Sequence, residues 1–123
     1  MILDAFEILK IAANALNAKK ATELNAVKVS DLTVIADYFL ICTASSSTHV
    51  RALAEEAEAK LSEAGVQPHH IEGKATGWIV LDYRSVIIHV FSRDQREFYA
   101  LDKMWSDGQQ VDLNDILIEA EGD

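Results

Sequence analysis

Few residues in this chain have the type and spacing to do chemistry. His69, His70 and Glu72 stand together beside a turn. Three such side chains could begin a metal site, but a structural zinc takes four donors, and no second pair of His or Cys follows at ligand spacing. They read as a solvated turn. His89 shares an alternating face with Ile87 and Phe91, which predicts packing rather than catalysis. Cys42 lies inside the apolar run Tyr38-Phe39-Leu40-Ile41-Cys42, where a thiol is buried and inert. Ser45, Ser46 and Ser47 precede a helix, and a helix N-terminus can hold an anion. With no glycine-rich loop and no Lys placed as in a P-loop, capping is the simpler role. Asp31, Asp37 and Asp82 could be imagined as magnesium ligands of a nucleotide-transferring enzyme. They form no local paired-carboxylate motif, and Asp31 and Asp37 flank a turn, where Asp is common.

Recognition is the better prospect. Trp78 opens a strand directly after Gly77 and shares a face with Asp82. It is either a core tryptophan or an aromatic anchor with an acidic companion, suited to a basic protein partner. Tyr99 raises the same question, because it lies off the helical stripe made by Phe98, Leu101 and Trp105.

The elements that must position these residues follow from periodicity. Phe6, Leu9, Ala13 and Leu16 recur at helical spacing and predict a helix from about Leu3 to Lys19. Val27 to Leu32 reads as a short strand, Asp31 to Asp37 as a connection or hairpin region, and Tyr38 to Cys42 as a strand buried on both faces. A serine-capped helix carries Val50, Leu53, Ala54, Ala57 and Leu61 on one side and ends at Gly65. An extended segment near His70 to Glu72 makes the order resemble a βαβ crossover. After a turn over Lys74 to Gly77, Trp78 to Ser92 reads as a hairpin turning at Arg84 and Ser85. Neither of its faces is purely polar, so the sheet is covered on much of both sides. Asp94 with Glu97 predicts the start of a helix running to Trp105.

The chain has 123 residues, half of them hydrophobic, which predicts one globular domain. Its formal charge is -9 and its pI about 4.8. That balance favours basic partners and disfavours direct nucleic-acid binding. The acidic start does not look like a signal peptide, and no apolar run reaches transmembrane length. The single cysteine fits a reducing compartment, so a cytoplasmic location is expected. Residues 1–108 are expected to form the domain and 109–123 an acidic C-terminal tail, which either docks as a short helix or frays.

Asp37-Tyr38-Phe39, Ser46 with His49, Glu72-Gly73, Trp78 with Asp82, Ile88-His89-Val90, and Arg96-Glu97-Phe98-Tyr99 with Leu101 and Trp105 occur in an order that resembles the ribosomal silencing factor family, also called Iojap-like. The resemblance runs from the first helix to Trp105. It implies a single α/β domain, a mixed β-sheet flanked by helices, with nucleotidyltransferase-like topology but without the catalytic motif. It also implies no enzyme activity and no cofactor or metal. The implied partner is the fourteenth large-subunit ribosomal protein, bound where the small subunit docks. Subunit joining would then be blocked and translation repressed under nutrient limitation, with a homodimer when free and no DNA or membrane partner. The matched positions Trp78 and Tyr99 are the expected anchors and Asp82 the acidic contact. Arg96 would orient that carboxylate or touch the partner. A nucleotide-binding or nucleotidyltransferase-like enzyme is the alternative. The family usually has glycine where this chain has Ala44 and Arg84, and Arg makes a turn with positive φ less comfortable.

Overall fold

The computed structural model describes residues 3–73, 77–93 and 108–117. Helix α1, Ala5–Ala18, starts with a capping box: the Asp4 side chain accepts from the Glu7 amide and the Glu7 side chain from the Asp4 amide. Its stripe buries Ile8, Leu9, Ala12, Ala13, Ala15 and Leu16. Phe6 does not join that stripe. It lies in the first turn, 43% exposed, with its ring centroid 6.3 Å from Tyr38.

Strand β1 covers Thr22–Lys28, earlier in the chain than the Val27–Leu32 that alternation predicts. Two local causes explain the difference. A bulge between Thr22 and Asn25, with Glu23 at φ +49°, breaks the period of two at the start of the strand. At the far end Val29 already belongs to the turn, because its carbonyl accepts from the amides of Leu32 and Thr33.

Strand β2 is Tyr38–Ala44, buried from Phe39 onward as the apolar run predicts. Helix α2, Ser47–Glu63, is capped by Ser46, and Gly65 takes φ +87° just past its end. Strands β3 (His70–Glu72), β4 (Trp78–Asp82) and β5 (Val86–Ser92) follow, and β6 (Gln109–Gln110) comes from the C-terminal segment. They form one six-stranded sheet in the order β3-β4-β5-β2-β1-β6. Only β2 and β5 pair in parallel; the other four pairings are antiparallel. The expected strand–helix–strand unit is present, but β5 and β4 lie between β2 and β3.

Helices α1 and α2 contribute to the larger apolar cluster, where Leu9, Leu16, Leu53 and Leu61 join Leu40, Cys42, Leu81, Ile88 and Val90 of the sheet. Alternation sends Phe39, Ile41 and Phe91 into a second cluster with Val27, Val29 and Ala36, against which Trp78 and Ile87 pack. Each such side chain fully buried contributes roughly 1.5–3 kcal/mol. After β6, a 3-10 helix over Leu113–Asp115 leads to Ile116, which is buried and whose carbonyl accepts from Asn14 Nδ2 at 2.9 Å. Among the described residues no helix is long and apolar enough to cross a membrane. The predicted helix from Asp94 to Trp105 lies outside the described residues.

Candidate docking surface

The β4–β5 hairpin carries Trp78, Asp82 and His89. Its register pairs Trp78 with Phe91, Val80 with His89 and Asp82 with Ile87. Ile79, Leu81 and Tyr83 are buried, while Trp78, Val80 and Asp82 are half-buried, as the alternation predicts. Trp78 stacks on Phe91 at 4.9 Å between ring centroids, and its Nε1 donates to His89 Nδ1 at 3.2 Å. The indole is only a donor, so His89 Nδ1 must accept and the ring carries its proton on Nε2. His89 is 6% exposed, with Phe39 at 5.0 Å on another side. Burial pushes its pKa down to about 4. His89 therefore acts as a neutral packing residue that holds Trp78 in place.

Asp82 sits at the other end of β4, about 13 Å along the strand at 3.3 Å per residue. Its Oδ1 accepts from the Arg84 amide at 2.7 Å, which steadies a hairpin turn whose Arg84 has φ +69°. Asp82 Oδ2 is 3.8 Å from His70 Nε2, and Glu72 Oε2 is 3.3 Å from the same nitrogen. Arg84 Nη2 donates to His69 Nδ1 at 2.9 Å. The His69–Glu72 group is thus tied into the sheet edge, and among the described residues no three His, Cys, Asp or Glu side chains are grouped to hold a metal. Trp78 and Asp82 share a face but mark opposite ends of it. Arg96 and Tyr99 lie outside the described residues.

The carboxyl end of the parallel β2–β5 pair is where an open α/β sheet places a ligand. Here that end leads into α2 through Ser45 and Ser46. Two amides at this end are engaged within the chain: Ser46 Oγ accepts from the His49 amide at 3.1 Å, and His49 Nδ1 accepts from the Ser45 amide at 2.9 Å. His49 Nε2 donates to the Lys19 carbonyl at 2.8 Å, tying the start of α2 to the end of α1. Of these serines, Ser46 caps the helix.

The β1–β2 connection carries a feature that periodicity does not signal. Leu32, Val34 and Ile35, in the connection between β1 and β2, are 46%, 103% and 62% exposed. The available signal was three large aliphatic residues between Asp31 and Asp37, a composition unlike an ordinary polar loop.

Comparison with known proteins supplies the remaining observation. A family model described as "Ribosomal silencing factor during starvation" matches residues 3–123. A ribosomal silencing factor from Bacillus subtilis is 39% identical over 108 residues, covering 87% of this chain and 92% of that protein. Another from Halalkalibacterium halodurans is 36% identical over 112 residues, covering 90% and 96% respectively. A crystal structure of a Chromobacterium violaceum protein is similar with a TM-score of 0.82 at 29% identity, covering 97% of both chains.

Proposed function

The chain belongs to the ribosomal silencing factor family, and from that premise we propose that it represses translation by binding the large ribosomal subunit. The match along residues 3–123 carries this reading, together with relatives of nearly the same length. The proposed target is the fourteenth large-subunit ribosomal protein, at the face where the small subunit docks. A bound domain occupies volume that the small subunit needs, so the inhibition is steric and requires an affinity and a position, not a reaction. Trp78, Asp82, Arg96 and Tyr99 are the proposed contacts. Trp78 offers a held aromatic surface, and Asp82 a carboxylate complementary to a basic protein. An interface of ordinary size takes about 800 Å² from each partner. The free protein is proposed to be a cytoplasmic homodimer.

The test is subunit joining followed by light scattering, with purified small and large subunits and increasing amounts of the protein. Dose-dependent loss of joining, with the protein co-sedimenting on large subunits, supports the reading. Undiminished joining with no co-sedimentation removes it. Saturable magnesium-dependent nucleotide binding in calorimetry would favour the nucleotidyltransferase-like alternative instead.

A further inference from the structure

Among the described residues, the exposed large hydrophobics are Phe6, Leu32, Val34 and Ile35. Single exposed apolar residues are ordinary on a protein surface. These four share one end of the sheet. The amides of Asp37 and Tyr38 donate to the Ser85 carbonyl at 2.7 and 3.1 Å, joining the β1–β2 loop to the hairpin turn. Phe6 reaches the same end through Tyr38.

The loop holds its apolar side chains outward on a fixed frame. The Val29 amide donates to the Asp37 carbonyl at 2.8 Å, and the amides of Leu32 and Thr33 return to the Val29 carbonyl at 2.9 and 3.0 Å. The Ile35 amide donates to Thr33 Oγ1 at 3.2 Å. Val29 and Ala36 are buried on either side of the tip and anchor it to the second apolar cluster. A loop fixed in this way loses little conformational freedom on binding.

The rim around this tip is acidic. Asp4, Glu7, Asp31 and Asp37 are all exposed. Among the described residues, Lys28 is exposed at this end and the Arg84 guanidinium engages His69, while Lys10 and Lys60 lie with Glu7 along the groove between α1 and α2. A second copy docking by the same patch would set like charges against each other, because a two-fold interface brings identical surfaces together. An anionic membrane surface would be repelled for the same reason. A basic protein surface with an apolar centre fits both features.

We infer that the tip Leu32-Val34-Ile35, with its acidic rim, is a docking surface for a basic protein of the large ribosomal subunit. This rests on the proposed ribosome binding and adds to it an apolar anchor at the Asp82 end of the sheet, away from Trp78.

The test compares the parent with a Val34→Ser/Ile35→Ser double variant in co-sedimentation with purified large subunits. Analytical ultracentrifugation of the free proteins and thermal melts run alongside. Both side chains are exposed, so the melt should not move. Loss of two apolar anchors should weaken subunit binding at least about tenfold. An Asp31→Lys variant should weaken it at low salt, with the loss shrinking as salt rises. If the parent binds and the double variant binds equally well, the inference fails while ribosome binding stands. If the double variant changes only self-association, the tip belongs to a second copy and the inference is overturned. If the parent does not bind large subunits, the functional reading falls, and this inference falls with it.

Discussion

His89 gives the stability of this protein a defined pH dependence. Its imidazole is 6% exposed among Phe39, Trp78 and Phe91, and burial lowers its pKa from 6.5 to about 4. Above pH 6.5 the ring is neutral in both folded and unfolded chains, and its contribution is fully present. As the pH falls below 6.5 the unfolded chain takes up a proton that the folded chain refuses, so stability declines. Below about pH 4 both forms are protonated and the decline stops. At about 1.4 kcal/mol per pH unit, that window amounts to roughly 3 kcal/mol, a sizeable part of the stability of a small domain. Protonation at Nδ1 would also set a proton against the Trp78 Nε1–H, which now donates there. The assay is urea unfolding of the parent and a His89→Gln variant from about pH 7 to about pH 4.5. Carboxylates titrate in both proteins, so the gap between the two curves isolates the histidine. The parent should lose its advantage as the pH falls. A constant gap across the range, or an imidazole resonance titrating near 6.5 in the folded protein, would refute the reasoning.

Three further outcomes follow from the hairpin. Arg84→Gly relieves a left-handed backbone at φ +69° and should stabilise the fold by about 0.5–1 kcal/mol, read as a higher urea midpoint; a lower midpoint would mean the Arg84–His69 contact matters more. Tyr83 has a buried hydroxyl with no hydrogen-bond partner among the described residues, and burial first, then Glu58, pushes its pKa up to about 12. Tyr83→Phe should therefore be neutral or stabilising by up to about 1 kcal/mol, and a clear loss in thermal melting would reveal a partner for that hydroxyl. Asp82→Lys should weaken large-subunit binding at low salt more than at high salt, measured by co-sedimentation; a salt-independent loss would point to the turn hydrogen bond rather than charge.

The parts of the fold legible in the sequence are those where one strong local signal acts alone. The run Tyr38 to Cys42 is apolar on both alternations, and it became the strand at the sheet's centre. Ser46 and Gly65 bracket α2 as cap residues should. The hairpin turn was legible because only Arg84 and Ser85 separate its apolar runs. Legibility failed where tertiary structure overrides local pattern. The bulge in β1 hides its alternation, and Phe6 has the spacing of a core residue but is left exposed against Tyr38. Periodicity could pair Trp78 with Asp82 on a face, yet only the register shows the indole stacked on Phe91 and bonded to His89. The exposed tip at Leu32, Val34 and Ile35 escaped for a related reason. Apolar residues in a connection are ordinarily expected to turn inward, and only backbone hydrogen bonds at the loop base decide that these turn outward.

The two ends of the sheet separate the two classes of function considered for this fold. A phosphate-handling site belongs at the carboxyl end of the parallel pair, beside the start of α2. There the Ser45 and His49 amides are engaged internally: Ser46 caps the helix, and His49 bridges Ser45 to Lys19. A phosphate seated on the Ser45 and His49 amides would have to displace those bonds, and His49 also joins α2 to α1. The amino end is arranged in the opposite sense. Its loop satisfies its backbone at the base and leaves aliphatic side chains and carboxylates at the surface. Such an end has little to offer a small phosphorylated ligand and much to offer a basic protein surface, because apolar contact supplies affinity and the acidic rim selects the partner's charge. The proposed steric inhibition would need no more than that.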